Sequence, residues 1–200
     1  MDNDMRENAE AKASEEKELT KKQKFINETI EWVKSFVFAI VVAFLLTHFV
    51  IMMCKVPTGS MEPTVETGAR LMVSRLNYKF TDPERGDIVT FYYPDDGETI
   101  YLKRIMGLPG ETIEGHNGVI YVDGQALKMD YTLEPLDEDF GPFHVPENSY
   151  FMMGDNRTES WDARFWRNTY VSRDEIIGQA VVEFFPSPKM LLNTRIYTME

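Results

Sequence analysis

Cysteine is nearly missing from this chain of 200 residues, which holds only Cys54. An intrachain disulfide is therefore impossible, and no zinc site of the cysteine type can be built. Histidine is almost as scarce: His48, His116 and His144 are too scattered to suggest a metal-ligand spacing or a Ser-His pair. Positive charge is short as well. The formal charge is −12, and residues 55–200 carry 14 Lys and Arg against 24 Asp and Glu with no basic face. Nucleic acid is excluded as an expected partner, because phosphate binding needs clustered cations. The acidic run Asp137-Glu138-Asp139 lacks the glycine and the closing glutamate of a calcium loop, so it reads as a solvated face and no metal is expected. No cofactor motif is present.

Long apolar runs are limited to one. Residues 35–53 contain no formal charge, and as a helix rising about 1.5 Å per residue they would cover about 28 Å, close to a bilayer's hydrocarbon thickness. Trp32 and Lys34 stand where an interfacial ring and a snorkelling ammonium belong. Lysines 17, 21, 22, 24 and 34 precede the run, whereas Lys55 alone follows it closely, so the amino terminus is expected inside and the rest outside. A cleaved signal peptide is the competing reading, but the apolar core is long for one and Cys54-Lys55-Val56-Pro57 is not a small-x-small site. The expected division is a charged cytoplasmic tail at 1–29, a transmembrane anchor at 30–53 and an extracytoplasmic domain at 54–200.

The outer part reads as short strands and tight turns. Residues 69–73, 87–93, 99–106, 119–122, 149–153 and 175–185 are rich in β-branched and aromatic side chains. Pro94-Asp95-Asp96-Gly97 and Asp123-Gly124 supply hairpin turns, residues 130–147 read as a loop, and 172–175 as a capped turn. The fold class expected is mainly β, an antiparallel barrel-like sheet behind one N-terminal transmembrane helix.

Three stretches carry the chemistry. Ser60 lies between Gly59 and Met61, with Pro57 and Pro63 on either side restricting the backbone, as the presentation of a nucleophile requires. Lys103 and Arg104 lie in an apolar strand whose alternation allows only one of them to point inward. A lysine stripped of water sheds its proton easily and can act as a base near neutral pH. The third stretch, 153–164, is dense in polar groups that fold a loop on itself, and Asp162 with Arg164 invites an ion pair.

In this order behind one anchor, Ser60-Met61-Glu62-Pro63-Thr64, Arg85-Gly86-Asp87-Ile88-Val89, the segment from Lys103 to Gly110 and the segment from Gly154 to Arg164 resemble the bacterial type I signal peptidases. These are Ser-Lys endopeptidases that remove signal peptides from exported proteins, and the likeness spans residues 32–186. The resemblance implies Ser60 as nucleophile, Lys103 as general base, Ser160 as the hydroxyl that orients the lysine, and Thr58 with the Ser60 N–H as the oxyanion hole. It implies supporting roles for Asp155, Asp162 and Arg164. It also implies an extended substrate beside Val56, Pro57 and Thr58 and beside Tyr101 and Leu102. Val56, Met61 and Leu102 would then form shallow pockets for alanine-sized side chains at the first and third positions before the cut. The implied partners are signal peptides and the lipid bilayer. Ala163 and the bulky Trp161 depart from the family pattern, and the short gap between Lys103 and Gly154 implies the compact form without a large extra domain. Two rivals stand beside this reading: a self-cleaving Ser-Lys repressor domain, which would bring a DNA-binding head rather than a span, and a membrane-tethered β module that binds without catalysis.

Overall fold

The computed structural model of the chain describes residues 2–129, 138–192 and 197–199, and in it the chain divides into two units, Met1–Thr47 and His48–Glu200. The first unit is a helix, α1 (Asp2–Leu45), so the charged tail and most of the apolar run share one element. The run does not stay helical to residue 53 as expected. It passes through a π-helical turn, Leu46–Val50, and ends in strand β1 (Ile51–Lys55), where β-branched Ile51 and its neighbours pair with another strand. Among the described residues no helix is long and apolar enough to cross a membrane. Many of the apolar side chains of α1 from Phe25 onward are nonetheless exposed, Phe36, Phe38 and Phe44 among them, with Phe38 at 70%.

The second unit is mainly β and antiparallel. The remaining strands are β2 (Arg70–Ser74), β3 (Ile88–Tyr92), β4 (Ile100–Gly107), β5 (Thr112–His116), β6 (Val119–Val122), β7 (Gln125–Met129), β8 (Phe140–His144), β9 (Ser149–Met153), β10 (Tyr170–Ser172), β11 (Ile176–Phe185), β12 (Lys189–Met190) and β13 (Tyr197–Met199), with a short helix α2 (Asn77–Phe80). The larger sheet runs β1-β2-β11-β3-β4-β9-β10, with β12 on β11, and the smaller runs β13-β7-β6-β5-β8. Of the five strands in the smaller sheet the sequence reading named only β6; β5, β7, β8 and β13 it missed. The stretch expected to be a loop at 130–147 thus contains a strand at Phe140–His144, while its first part, 130–137, lies outside the described residues. Residues 193–196 and 200 lie outside them too.

Turn chemistry explains the hairpins. Asp123 and Gly124 both take positive φ, 50° and 77°, joining β6 to β7. Asn117 and Gly118 do the same at 50° and 81° between β5 and β6, a signal of equal strength that the sequence reading passed over. Ser172 and Glu175 close a capping box on the 3₁₀ turn Arg173–Glu175, as the capped turn predicts.

Apolar side chains bury both faces of the larger sheet. One cluster gathers Phe91, Ile105, Met106, Phe151 and Trp166, and the other gathers Val56, Met61, Val65, Leu71, Ile88 and Leu191. At about 2 kcal/mol for each fully buried aliphatic side chain, the second cluster ties the turn after Ser60 to the sheet. Register shifts in β11, between Ala180 and Val182 and between Glu183 and Phe185, bend the sheet locally.

Candidate active site

The turn that carries Ser60 is built from its own backbone: Glu62 N–H donates to the Gly59 carbonyl at 3.0 Å and Val65 N–H to the Met61 carbonyl at 2.8 Å. Glu62 reaches over the turn and accepts from the Thr67 N–H and hydroxyl, which holds its carboxyl below its usual range. The turn rolls Met61 inward. Met61 is fully buried in the core and is not among the residues lining the cleft, which corrects its expected place in a substrate pocket.

That cleft, about 580 Å³, is lined by residues 52–58, Ser60, Thr90, residues 99–103, Glu159 and Trp161. Its two long sides are strand edges. β1 pairs only with β2, and β4 pairs with β9 only from Arg104 onward, so Ile100 to Lys103 present an open edge. Val56, Pro57, Thr58, Leu102, Ser60 and Lys103 all line this one cleft. The Thr58 and Ser60 hydroxyls are 3.5 Å apart. No hydrogen bond joins Ser60 to Lys103 among the described residues; unliganded sites often hold such pairs loosely.

Lys103 is 4% exposed, and burial pulls its pKa down to about 8. The carboxylates of Asp162 and Asp155 push the other way and the Arg164 cation assists the drop. Its neighbour Arg104 is fully buried too, against the expectation that one of the two would face water. Alternation does send them to opposite faces, but both faces of β4 are covered here. The guanidinium is made tolerable by Asp155, whose carboxylate accepts from Arg104 Nε at 2.7 Å and also from Nη2, while Nη1 donates to the Gly86 carbonyl at 2.8 Å. Arg104 is the supporting residue the sequence reading missed; a carboxylate placed in a buried loop, such as Asp155, calls for a cation of this kind.

The polar loop after β9 supplies the rest. Asp162 pairs with Arg164, Nε to Oδ1 at 2.8 Å, and accepts the Gly154 N–H at 3.0 Å. Arg164 Nη2 in turn donates to the Arg157 carbonyl at 2.8 Å. Asn156 N–H donates to the Ser60 carbonyl at 3.1 Å, which clips this loop to the turn that carries Ser60. Ser160 is buried, and its hydroxyl has no hydrogen-bond partner among the described residues. It packs against Gly154, where a Cβ would lie 2.1 Å from Ser160 Oγ and 2.5 Å from the Ser60 carbonyl oxygen. Only glycine lets these two groups meet. A buried amine of lowered basicity and an alcohol in the same cleft can together take a proton and attack a carbonyl. Among the described residues no cluster of His, Cys, Asp and Glu could hold a metal ion.

Comparison with known proteins shows the family. The family model "Signal peptidase, peptidase S26" matches residues 29–185. A probable signal peptidase I-2 of Synechocystis sp. (strain ATCC 27184 / PCC 6803 / Kazusa) is 36% identical over 84% of this chain and 78% of its own. A signal peptidase I of Leptolyngbya laminosa is 39% identical over 78% of this chain and 80% of its own. Signal peptidase I T of Bacillus subtilis (strain 168) is 36% identical over 86% and 93% respectively. A solved signal peptidase I from Enterococcus faecalis V583 is 31% identical, covers 50% of this chain and 98% of its own, and has a TM-score of 0.44.

Proposed function

This chain belongs to the signal peptidase family, peptidase S26, whose members are serine endopeptidases acting on signal peptides, and we propose that it cuts them with Ser60 as nucleophile and Lys103 as general base. The observation that carries this reading is a water-poor lysine lining the same cleft as an alcohol on a tight turn. Neutral Lys103 takes the Ser60 proton as Oγ attacks the scissile carbonyl. The oxyanion is held by the Ser60 N–H and the Thr58 hydroxyl, and the ammonium then protonates the leaving amine. Water, deprotonated by the same amine, frees the acyl-enzyme. Ser160, with a hydroxyl unspent on other partners, orients Nζ. Asp155, Asp162 and Arg164 keep its loop in place.

The substrate lies extended between the open edges of residues 56–58 and 100–103, completing a β-ladder with both. Val56 and Leu102, set among buried side chains, leave room only for alanine-sized groups at the first and third positions before the cut. The apolar helix-and-turn segment of residues 35–50 would rise about 24 Å and, with Phe36, Phe38, Phe44, Leu46 and Phe49 exposed, is the membrane anchor, with Lys34 snorkelling at one end. The amino terminus stays on the cytoplasmic side.

Cleavage of a preprotein by the wild type, Ser60→Ala and Lys103→Met tests the pair: the wild type cuts and neither variant does. Cleavage retained by either variant would remove the dyad, and binding without cleavage by the wild type would favour a tethered binding module. For the anchor, Val41→Lys/Phe44→Lys should move the protein from the alkali-resistant membrane pellet to the supernatant, and protease added to sealed vesicles should reach residues 54–200 from the outside only.

A further inference from the structure

Beside the cleft stands an aromatic block for which the cleavage chemistry has no use. Trp161 is 55% exposed, lines the cleft and stacks one face on Phe165, with ring centres 5.7 Å apart and planes 16° from parallel. Its indole N–H donates to the Tyr93 hydroxyl at 3.4 Å, and the Tyr93 ring stacks on Tyr101 at 4.5 Å and 6°. Trp166 packs edge-on against both tyrosines at 5.3 and 5.9 Å. A large apolar surface left open to water but pinned this firmly from behind is built to meet something. Glu159 adds a carboxylate to the same wall, its one polar contact among the described residues being a long one of 3.5 Å with Asn156 Nδ2.

Strand geometry says which part of a substrate would reach it. Tyr101 and Leu102 are successive residues of β4, so their side chains leave opposite faces: Leu102 packs with Val56 in one core cluster and Tyr101 with the other. A peptide paired to this edge alternates in the same way. If its first and third residues before the cut fall on the Leu102 face, the second must fall on the Tyr101 face, beside Trp161 and Glu159.

We propose that Trp161, with Tyr101 and Glu159, is a specificity site for the second residue before the cut, favouring arginine and aromatic side chains and rejecting acidic ones. The proposal rests on Ser60 and Lys103 being the catalytic pair. A guanidinium laid on the open indole face gains cation–π attraction and approaches the Glu159 carboxylate, an aromatic ring gains stacking alone, and a carboxylate meets like charge.

The test is a set of four otherwise identical peptides with alanine, phenylalanine, arginine or glutamate at that position, cut by the full-length protein in detergent micelles. The kcat/KM values should fall in the order arginine, phenylalanine, alanine, glutamate, with arginine over alanine by about threefold to tenfold. Within Trp161→Ala the arginine-to-alanine and phenylalanine-to-alanine ratios should collapse towards one, and Trp161→Phe should restore most of them. Glu159→Gln should lower the arginine ratio and raise that of glutamate. A flat series in the wild type, or Trp161→Ala lowering all four peptides in equal proportion, would overturn the specificity site. Neither result touches the catalytic pair, which fails only if Ser60→Ala still cuts.

Discussion

Arg104 and Asp155, both without solvent exposure, hold each other in a two-point ion pair on the far face of the strand whose near face carries Lys103. The pair joins the lysine strand, the Gly86 turn and the loop leading to Ser160. It also gives Asp155 a partner other than the Lys103 amine, on which desolvation is the leading influence, ahead of the opposing charges of Asp162 and Asp155.

Removing one partner leaves a buried charge alone. Arg104→Met or Asp155→Asn should cost about 3 to 5 kcal/mol, read as a lowered midpoint in urea unfolding. The double variant Arg104→Met/Asp155→Leu should recover most of that loss, and a double variant no better than the singles would contradict a paired role.

The proton count on Lys103 sets the pH dependence. Only the neutral amine is a base, so kcat/KM should climb from pH 6 and level off above an inflection near 8, where burial has brought the group. A rate constant down to pH 6 is the contrary result.

The same shift bears on stability. The folded pKa of about 8 lies below the ordinary 10.5, so between these values the unfolded chain binds the extra proton and the native state gains with rising pH. Below pH 8 the full penalty of a buried ammonium remains. Lys103→Met should therefore stabilise the protein at pH 7 by about 3 kcal/mol, and the advantage should fade as pH approaches 10.5. Thermal denaturation of both proteins across pH 6 to 10 measures it.

Gly154→Ala places a methyl group against Ser160 Oγ and the Ser60 carbonyl at once. The variant should fold, with at most about 3 kcal/mol lost, yet cut at least a hundredfold more slowly. Ser160→Ala, which removes the hydroxyl without moving the backbone, should lower kcat by about a hundredfold and leave KM almost unchanged.

How much of this was legible in the sequence varied with the range of the forces involved. The strands at Val119–Val122 and Ser149–Met153 were plain because alternation and turn residues act locally. β1 was hidden because Ile51, Met52 and Met53 continue an apolar run, and their strand state depends on partners some twenty residues away, Val73 and Met72 among them. β8 was hidden by Gly141 and Pro142, which read as breakers but sit in a strand on the smaller sheet. In the site, Ser60 and Lys103 stood out by residue type. The inward roll of Met61 and the double burial at residues 103 and 104 depend on a sheet covered on both faces, which no window of sequence contains.

The two unmatched borders flanking the cleft have one more implication for the proposed β-ladder. A polypeptide that has already satisfied its amides internally, as helices and finished sheets do, has nothing to offer them. If substrates pair with these edges as proposed, selection would act on conformation before composition: folded proteins nearby would be spared however many small residues they display, and a stretch still waiting to fold would be the one cut.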